Sequence, residues 1–447
     1  MANNMREAAL NVLLRIDNHG GYSHLLIDRE MNLNNISEQD KRLFTEIVYG
    51  TLERKLTIDY YLEPFIKRQK KLKDWVRMLL RMSVYQMIFL DKVPPYAIIN
   101  EAVEIAKKNG HKGISSLING VLRNIDRKGV QSTEDISDPV ERLSIETSHP
   151  QWLIERWIKQ YGYEVTQAIA NNHLQRTLMT VRIQPLKITR EQAIEQLFDE
   201  GLTVEKSTLS DQGIIIQSGN VLKTRLYKEG YLTIQDESSM LVGHYLEVLR
   251  GMTVLDACSA PGGKVTHIAE LMENEGYIKA YDIHKKKLKL IHEKTKSLNI
   301  SIVDPVVGDA RELRDKEAAE SFDRILIDAP CSGLGVIRSK PDLKYSKTKE
   351  DISRLASIQQ SILNNVLSLL KSDGKLVYST CTIDKEENEY LVKQFLEEND
   401  EFEVDPTFIA SIPQSLQSGV TPYGLQLLPQ MINSDGFFIT RLQRVKK

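Results

Sequence analysis

The chain has 447 residues, of which 41% are hydrophobic and 27% are charged, and its formal net charge is −2. This length suits about three domains that each bury a core, and the composition excludes a disordered or fibrous protein. No apolar run approaches the roughly 18 residues that span a bilayer, and residues 1–10 lack the apolar stretch of an export signal, so we expect a cytoplasmic protein with no membrane contact. The three widely spaced cysteines exclude a C-x-x-C zinc site and argue against a disulfide framework, and we expect no bound metal.

The first 130 residues carry apolar side chains at spacings of three and four, without the alternation of a strand, which predicts a helical domain. The predicted helices cover residues 6–15, 38–60, 73–90, 96–108 and 114–125. The polar and acidic residues 129–138 that follow them are typical of a linker.

This helical segment is basic although the whole chain is slightly acidic. Residues 1–130 contain 21 Lys and Arg against 15 Asp and Glu. One basic cluster is opposed only by Asp74 and comprises Lys67, Arg68, Lys70, Lys71, Lys73, Arg77 and Arg81. The cluster fits the electrostatic footprint of a nucleic-acid backbone, and it fits a solvated helix face equally well.

From residue 149 the pattern changes to a mixture of helices and strands. Helices are predicted over 150–161 and 189–199, and strands over 179–183, 203–205, 214–216 and 231–234. This order predicts a small α+β module. Its apolar, β-branched strands could form a nucleic-acid platform of the RNA-recognition-motif (RRM) type, but the aromatic-rich signature of that class is absent, so a purely structural module fits equally well.

After residues 235–239 strands alternate with helices of ten residues or more, which predicts a doubly wound α/β domain. The predicted strands cover residues 253–256, 278–282, 304–307, 324–328 and 375–379. Ligands of open parallel sheets bind at the carboxyl ends of the strands, and this is where the polar residues of this domain are concentrated.

A glycine turn with an adjoining helix follows the first of these strands, in the stretch Asp256-Ala257-Cys258-Ser259-Ala260-Pro261-Gly262-Gly263-Lys264. Adjacent glycines allow a ligand to approach the backbone, and the helix N-terminus offers N–H groups to an anion. Neither G-x-G-x-x-G nor the P-loop pattern is present, although the turn alone could hold NAD, a nucleoside triphosphate or S-adenosylmethionine.

Two later aspartates are candidate ligands for the same small molecule. Asp282 ends the second strand, 19 residues after Gly263, where a carboxylate can bind ribose hydroxyls. Asp309 follows the third strand and could receive an adenine amino group, or it could simply cap the next helix.

The cysteines also follow strands: Cys258 the first, Cys331 the fourth and Cys381 the fifth. We therefore expect all three at one edge of the sheet. A single cysteine is usually a small buried apolar residue, but a thiolate in a polar cleft is a strong nucleophile.

These motifs closely resemble the RNA cytosine-C5 methyltransferases of the NOL1/NOP2/Sun group. The resemblance rests on the glycine-turn stretch 256–264 together with Asp328-Ala329-Pro330-Cys331-Ser332-Gly333 and Thr380-Cys381-Thr382. The front of the chain resembles the NusB-like RNA-binding domain through Asp40-Lys41-Arg42-Leu43-Phe44, Tyr49-Gly50, Tyr85-Gln86, Val93-Pro94, Ile99-Asn100-Glu101-Ala102-Val103 and Asn119-Gly120-Val121-Leu122-Arg123-Asn124. The expected domains are 1–130 (NusB-like, all-α), 146–235 (RNA-binding, RRM-like α+β) and 236–447 (Rossmann-like methyltransferase).

The resemblance implies a chemistry and a substrate. Cys381 is implied as the nucleophile that adds to cytosine C6, Asp328 as the contact to the N3/N4 edge, and Cys331 as an aid to product release. S-adenosylmethionine is implied as methyl donor, with its methionine part in the loop from Cys258 to Lys264, its ribose at Asp282, its adenine at Asp309 and its reacting end beside Asp328. Likeness to the small-subunit members implies 16S rRNA as partner, naked or in early assembly, and a monomeric enzyme.

Three alternatives remain open. A DNA-type C5 methyltransferase would use Cys331 as nucleophile. An amino-methyltransferase would carry an aromatic residue where Cys331 stands, which counts against that class. A catalytically inert NusB-type RNA-binding factor for ribosome assembly or antitermination would not need the set of three aspartates and two cleft cysteines.

Overall fold

The computed structural model describes residues 5–19, 23–34, 36–67 and 72–445. The chain divides into two compact units. The helical unit comprises Met1–Leu174 and Lys340–Ser346, and the sheet unit comprises Gln175–Ser339 and Lys347–Lys447. A short piece of the C-terminal sequence therefore belongs to the N-terminal unit.

The helical unit contains α-helices whose apolar residues recur at three and four positions. They are α1 Met5–His19, α2 Ser23–Leu33, α3 Glu38–Glu53, α4 Lys55–Ile66, α5 Asp74–Phe89, α6 Pro95–Asn109, α7 Lys112–Lys128, α8 Pro139–Thr147, α9 Gln151–Tyr161 and α10 Tyr163–Asn172, with a further turn of helix at Leu343–Ser346. Within the described part of the chain, no helix is long and apolar enough to cross a bilayer.

The predicted helices agree with this pattern apart from one false joining and three omissions. The single helix predicted over 38–60 is wrong, because Arg54, at φ −102° and ψ 15°, separates α3 from α4. Helices α2, α8 and α10 were not predicted. Gly50 of α3 packs directly against Tyr85 of α5, where a Cβ atom would come within 1.9 Å of the tyrosine ring. Two of the sequence signatures that resemble NusB thus meet in one helix contact.

The structure changes the interpretation of the basic cluster. Arg81 is buried and donates two hydrogen bonds of 2.7 Å to Asp59, so this arginine stabilises the core and offers no charge to a partner. Lys67 and Lys73 are exposed. Arg77 is partly buried, and the remaining members Arg68, Lys70 and Lys71 lie outside the described residues.

The sheet unit begins with β1 Met179–Ile183, α11 Arg190–Asp199, β2 Thr203–Lys206, β3 Gly213–Ser218, α12 Arg225–Lys228 and β4 Leu232–Ile234. These strands form an antiparallel sheet in the order β2-β3-β1-β4. Helix α11 covers one face, where Ala193 and Leu197 pack with Val181 and Ile214. The α+β prediction for this segment is confirmed, with the strand order of an RRM-like βαββαβ module.

The remaining elements form the second sheet and its helices. They are α13 Glu237–Tyr245, β5 Thr253–Asp256, α14 Gly263–Leu271, β6 Tyr277–Asp282, α15 Lys285–Leu298, β7 Val303–Val307, β8 Phe322–Asp328, α16 Leu343–Ser346 (the turn in the helical unit), α17 Lys349–Val366, β9 Leu370–Thr380, α18 Glu389–Glu398, β10 Phe402–Val404, α19 Pro406–Ser411, β11 Val420–Thr421, β12 Gly424–Leu427, α20 Pro429–Ile432 and β13 Phe437–Arg444.

The order along this sheet is β7-β6-β5-β8-β9-β13-β12-β11, with β10 paired to β13. Strands β5 to β9 are parallel, and β13 joins β9 antiparallel. The five predicted strands are therefore confirmed. The sheet reverses its order between β5 and β8, and in open α/β sheets this switch point is where a ligand binds. The antiparallel strands β10 to β13 were not predicted.

Candidate active site

The polar residues singled out in the sequence lie at one edge of the large sheet. Asp256 ends β5, Asp282 ends β6, Asp328 ends β8, and Cys381 directly follows β9. Since these strands are parallel neighbours, their carboxyl ends face the same side of the molecule. The fold thus brings the motifs together although they span more than a hundred residues of sequence.

The glycine turn between β5 and α14 is fixed by backbone hydrogen bonds. Ser259 N donates to Tyr281 O over 2.7 Å, and Gly262 N donates to Ser259 O over 2.8 Å. Gly262 has φ +98°, and a Cβ atom there would lie 3.3 Å from Ile291 Cα. Only glycine combines this left-handed conformation with such close packing. Helix α14 starts at the next residue, so its free N–H groups face the edge of the sheet.

Asp256 Oδ2 and Ser259 Oγ, two buried polar atoms of this loop, make no well-formed hydrogen bond to the described residues, although the Ser259 hydroxyl acts on the Asp256 carboxyl and lowers its pKa. Burial, followed by the charge of Asp328, raises the pKa of Asp256 to about 7. Buried polar atoms are normally paired, because leaving one unpaired costs about 1–3 kcal/mol. The loop therefore fits a polar ligand that would supply the missing partners.

Asp282 and Asp309 differ in how they are held. Asp282 is 9% exposed and accepts hydrogen bonds from Ala260 N at 3.3 Å and His284 N at 2.8 Å. Asp309 accepts from Arg311 N and pairs with the Arg311 guanidinium, which holds the pKa of Asp309 below its usual value. Asp309 thus caps the short helix that follows it, which is one of the two roles that its sequence position suggested. Its carboxylate is also paired with the Arg311 guanidinium.

Lys264 points from the start of α14 to the end of β8. Its Nζ lies 2.7 Å from Asp328 Oδ2 and 5.1 Å from the centre of the Phe437 ring. Burial opposes the charge of Lys264, but the carboxylate of Asp328 outweighs this effect and raises the pKa of Lys264. Ser379 Oγ donates to the other Asp328 oxygen over 3.1 Å. Asp328 is therefore held in a fixed orientation from two sides.

The thiols of Cys331 and Cys381 are 3.4 Å apart, within hydrogen-bond distance for sulfur. This hydrogen bond, together with burial, raises the pKa of Cys331 well above its usual value. Either sulfur can donate across this contact, and one arrangement that it allows is a Cys331 thiol that donates to a Cys381 thiolate. The nearby Lys264 ammonium is attracted to negative charge on Cys381, and the same attraction stabilises that thiolate.

Cys258 occupies the same edge but has a different character. Burial, and after it the charge of Asp256, raises the pKa of Cys258 well above its usual value. A thiol that keeps its proton is a poor nucleophile. Its side chain packs with the apolar core beside β5.

Glu387 is a site residue that sequence reasoning missed. This buried carboxylate accepts from Ser332 N at 2.8 Å, from Ser332 Oγ, and from Gln359 Nε2 at 3.0 Å. Ser332 Oγ also lies 2.9 Å from Thr382 Oγ1. Since Ser332 follows one cysteine of the close pair and Thr382 follows the other, Glu387 holds both cysteine loops together. Burial raises the pKa of Glu387 to about 7.

Arg182 was also missed, because it lies on a strand of the small sheet. It is fully buried and pairs with both Glu270 oxygens, at 2.7 and 2.8 Å. It also donates to the Gly263 carbonyl over 3.1 Å, at the start of α14. The face of the small sheet opposite α11 therefore supports the glycine turn at this position, and Arg182 is not free to contact a nucleic acid.

Comparison with known proteins adds a second line of evidence. A model described as 16S rRNA methyltransferase RsmB/F matches residues 244–443, and a NusB family model matches residues 3–127. A protein of Bacillus subtilis (strain 168) named probable ribosomal RNA small subunit methyltransferase B is 46% identical over 98% of both chains. The chain belongs to the ribosomal RNA small subunit methyltransferase B family. A Synechocystis protein of the same name is 34% identical, over 98% of this chain and 99% of its own.

Other matches support the architecture of this family member. A model for an RsmF/B-like, ferredoxin-like domain matches residues 149–222, which include most of the small sheet. One solved crystal structure covers 98% of both chains with 26% identity and a TM-score of 0.84. The crystal structure of NSun6 from Pyrococcus horikoshii with SFG covers 67% of this chain and 99% of its own, with 25% identity and a TM-score of 0.60. The expected fold class and the NusB-like resemblance are confirmed, and the family is one of rRNA methyltransferases.

Proposed function

We propose that this rRNA methyltransferase transfers a methyl group from S-adenosylmethionine to C5 of a cytidine in 16S rRNA through a covalent adduct with Cys381. The observation that carries the proposal is the 3.4 Å separation of the Cys331 and Cys381 sulfurs at the ends of β8 and β9. A single cysteine could be incidental. Two thiols in contact near a partly buried Lys264–Asp328 pair fit a nucleophile with its own proton-handling partner.

Cytosine C5 is too weak a nucleophile to take a methyl group unaided. The Cys381 thiolate forms a bond to C6, the C5=C6 electron pair becomes available at C5, and a proton is taken up at N3. Asp328, whose orientation is fixed by Lys264 and Ser379, is proposed to contact the N3/N4 edge. The base must leave its stack to reach these groups.

Product release reverses the first step. The C5 proton passes to a base, the C5=C6 bond forms again, and the sulfur of Cys381 leaves C6 as a thiolate. We assign help with this step to Cys331, whose sulfur lies against that of Cys381. The hydrogen bond from the Cys331 thiol can stabilise the departing thiolate.

The residues of the glycine turn fit the methyl donor. The buried Asp256 Oδ2 and Ser259 Oγ offer polar contacts, and the N-terminus of α14 suits the carboxylate of a methionine moiety. The loop from Cys258 to Lys264 is proposed to hold that moiety, with Asp282 at the ribose and Asp309 at the adenine. The bound donor would supply an electrophilic methyl group on sulfonium.

The donor assignment gains support from a relative, because NSun6 of Pyrococcus horikoshii was crystallised with SFG. For Asp309, adenine binding would require the carboxylate to share or release Arg311. We further propose the domain division 1–130, 146–235 and 236–447, a monomeric cytoplasmic enzyme, and naked or early-assembly 16S rRNA as substrate.

The deciding experiment is transfer of tritiated methyl groups to 16S rRNA from a strain that lacks the modification, followed by bisulfite mapping of the product. A single protected cytidine that depends on S-adenosylmethionine is the expected result. Methyl incorporation that bisulfite does not detect would reject C5 of cytosine as the target. Binding of S-adenosylmethionine, measured by calorimetry, separates an enzyme from an inert RNA-binding factor.

A further inference from the structure

Helix α15 carries an unusual concentration of positive charge for a protein whose net charge is −2. Its sequence, KKKLKLIHEKTKSL, contains six lysines and one glutamate. The buried side of the helix consists of Leu288, Ile291, Thr295 and Leu298. Every lysine of the helix except Lys294 is exposed.

Three of the exposed lysines form a line along the helix. Lys285, Lys289 and Lys296 recur at spacings of four and seven, so they share one face of the helix. At 1.5 Å per residue this face extends for roughly 16 Å. Glu293, the acidic residue of the helix, lies 3.6 Å from Lys289 and offsets only one of these charges.

The position of the first three lysines is unfavourable for the helix itself. Lys285, Lys286 and Lys287 occupy the first turn, which contains no acidic residue, and His284 at the N-cap makes no side-chain cap hydrogen bond. The positive end of the helix dipole repels these cations, and they repel one another. A local arrangement that opposes stability is expected at a functional site.

The location of α15 links this charge to the proposed reaction. The helix starts three residues after Asp282, and His284 N donates to the Asp282 carboxylate over 2.8 Å. The first turn therefore stands at the same sheet edge as the glycine turn and the cysteine pair. A polyanion that lies along this sheet edge would meet the cationic first turn of α15.

We propose that the exposed lysines of α15 bind the phosphate backbone of the substrate RNA: Lys285, Lys286 and Lys287 around the first turn, and Lys289 and Lys296 along the face that starts at Lys285. The inference rests on the proposed function only for the identity of that RNA. Neutralising lysines bind phosphates through release of counterions and without base recognition, so these lysines add affinity and orientation but no sequence specificity.

The test compares two triple variants that lose the same charge. The first is K285Q/K286Q/K287Q. The control, K316Q/K371Q/K393Q, removes three lysines of the same unit that are each paired with a carboxylate, at 3.0 Å to Glu312, 2.7 Å to Asp323 and 3.8 Å to Glu397. Binding of unmethylated 16S rRNA transcript is measured by filter retention over a range of NaCl concentrations, without a methyl donor.

For K285Q/K286Q/K287Q we expect affinity to fall on the order of tenfold at low salt and the slope of log K against log salt to decrease by about 2. Because the helix dipole no longer opposes the first turn, we also expect the melting temperature to rise by roughly 2–4 °C. Weaker RNA binding by a more stable protein cannot result from misfolding.

The proposal is wrong if the slope of log K against log salt for K285Q/K286Q/K287Q equals that of the parent protein. It is also wrong if the slope of the control variant decreases by the same amount. Because the measurement needs no methyl transfer, it is independent of the catalytic assignment. If the variants behave as expected but the parent methylates no cytosine, RNA binding by the lysines of α15 is supported and the proposed reaction is wrong. If the parent methylates cytosine and the salt slope of K285Q/K286Q/K287Q does not change, the proposed reaction is supported and RNA binding by these lysines is wrong.

Discussion

The sulfur of Cys331 lies 3.4 Å from the sulfur of Cys381, although fifty residues separate them in the sequence. At this distance one thiol can donate a hydrogen bond to the other sulfur, so the two sulfurs share one proton. The hydrogen bond with Cys381 raises the pKa of Cys331, which agrees with our proposal that Cys331 keeps this proton and that Cys381 is the nucleophile.

This asymmetry predicts opposite phenotypes for the two alanine variants. Cys381→Ala should abolish methylation while binding of S-adenosylmethionine stays close to that of the parent, because addition to C6 needs the thiolate. Cys331→Ala should still add to the base and transfer methyl but release RNA slowly. Denaturing gels with substrate RNA and S-adenosylmethionine should show a retarded protein–RNA band for Cys331→Ala.

The double variant Cys331→Ala/Cys381→Ala is the control, and its band should disappear. A retarded band from Cys381→Ala alone would exchange the two roles and favour the DNA-type mechanism. If no variant traps RNA while the parent is active, the covalent route is wrong.

A second prediction concerns Glu387, which joins the loops of both cysteines. Glu387→Ala leaves Ser332 N without its acceptor and removes one of the two acceptors of Gln359 Nε2, and we expect kcat to fall on the order of 100-fold with little change in KM for S-adenosylmethionine. Glu387→Gln keeps an acceptor for both groups and should recover most of the activity. Neighbouring Glu386→Gln serves as a matched control and should behave as the parent does.

The same residue predicts a pH dependence of stability. Burial raises the pKa of Glu387 to about 7 from the ordinary 4.5, so its contribution is complete below pH 4.5 and is lost as the pH rises through 7. Glu387→Gln does not ionise and should gain up to about 3 kcal/mol over the parent between pH 5 and pH 8. Calorimetric melting of both proteins across this range checks the sign, and a constant difference would contradict the expectation.

The site was predictable where its residues follow strands in short motifs. Asp256, Asp282 and Asp328 end strands whose apolar runs are clear in the sequence, and parallel pairing then fixes the common edge. Glu387 and Arg182 could not be found this way, because a charged residue in sequence looks like a surface residue and its burial depends on distant partners. The strands β10 to β12 have only two to four residues, and β13 is buried at its first six residues on both faces, so none of them shows a clear alternation of apolar and polar residues.

A third prediction concerns the buried pair of Arg182 and Glu270. Arg182→Met leaves a buried carboxylate without its partner and should cost about 3–5 kcal/mol of unfolding free energy. The double variant Arg182→Met/Glu270→Leu removes both charges and should recover much of that loss. Urea unfolding of the two variants and the parent measures the difference, and a double variant as unstable as the single one would show that packing, rather than charge, is responsible.

A fourth prediction concerns the front of the chain. Residues 1–128 should fold alone as a helical domain, because the buried residues of their core cluster, as far as the structure describes them, lie between Ala8 and Ile125. Circular dichroism of this fragment should show a cooperative thermal transition. A gradual, non-cooperative loss of helical signal would mean that the later helices α8 to α10 are required.

Because Lys340–Ser346 belongs to the helical unit, it limits where the genes of two related enzymes can be joined to make a chimera. The polypeptide passes between the two units three times, after Leu174, after Ser339 and after Ser346. In the returning segment, Lys344 Nζ donates to Glu53 O over 2.8 Å and Tyr345 OH donates to Ser148 O over 2.9 Å. A chimeric gene with one crossover near codon 175 would therefore take residues 1–174 of the helical unit from one parent and its segment 340–346 from the other parent. Functional chimeras should carry codons 340–346 from the donor of the front half.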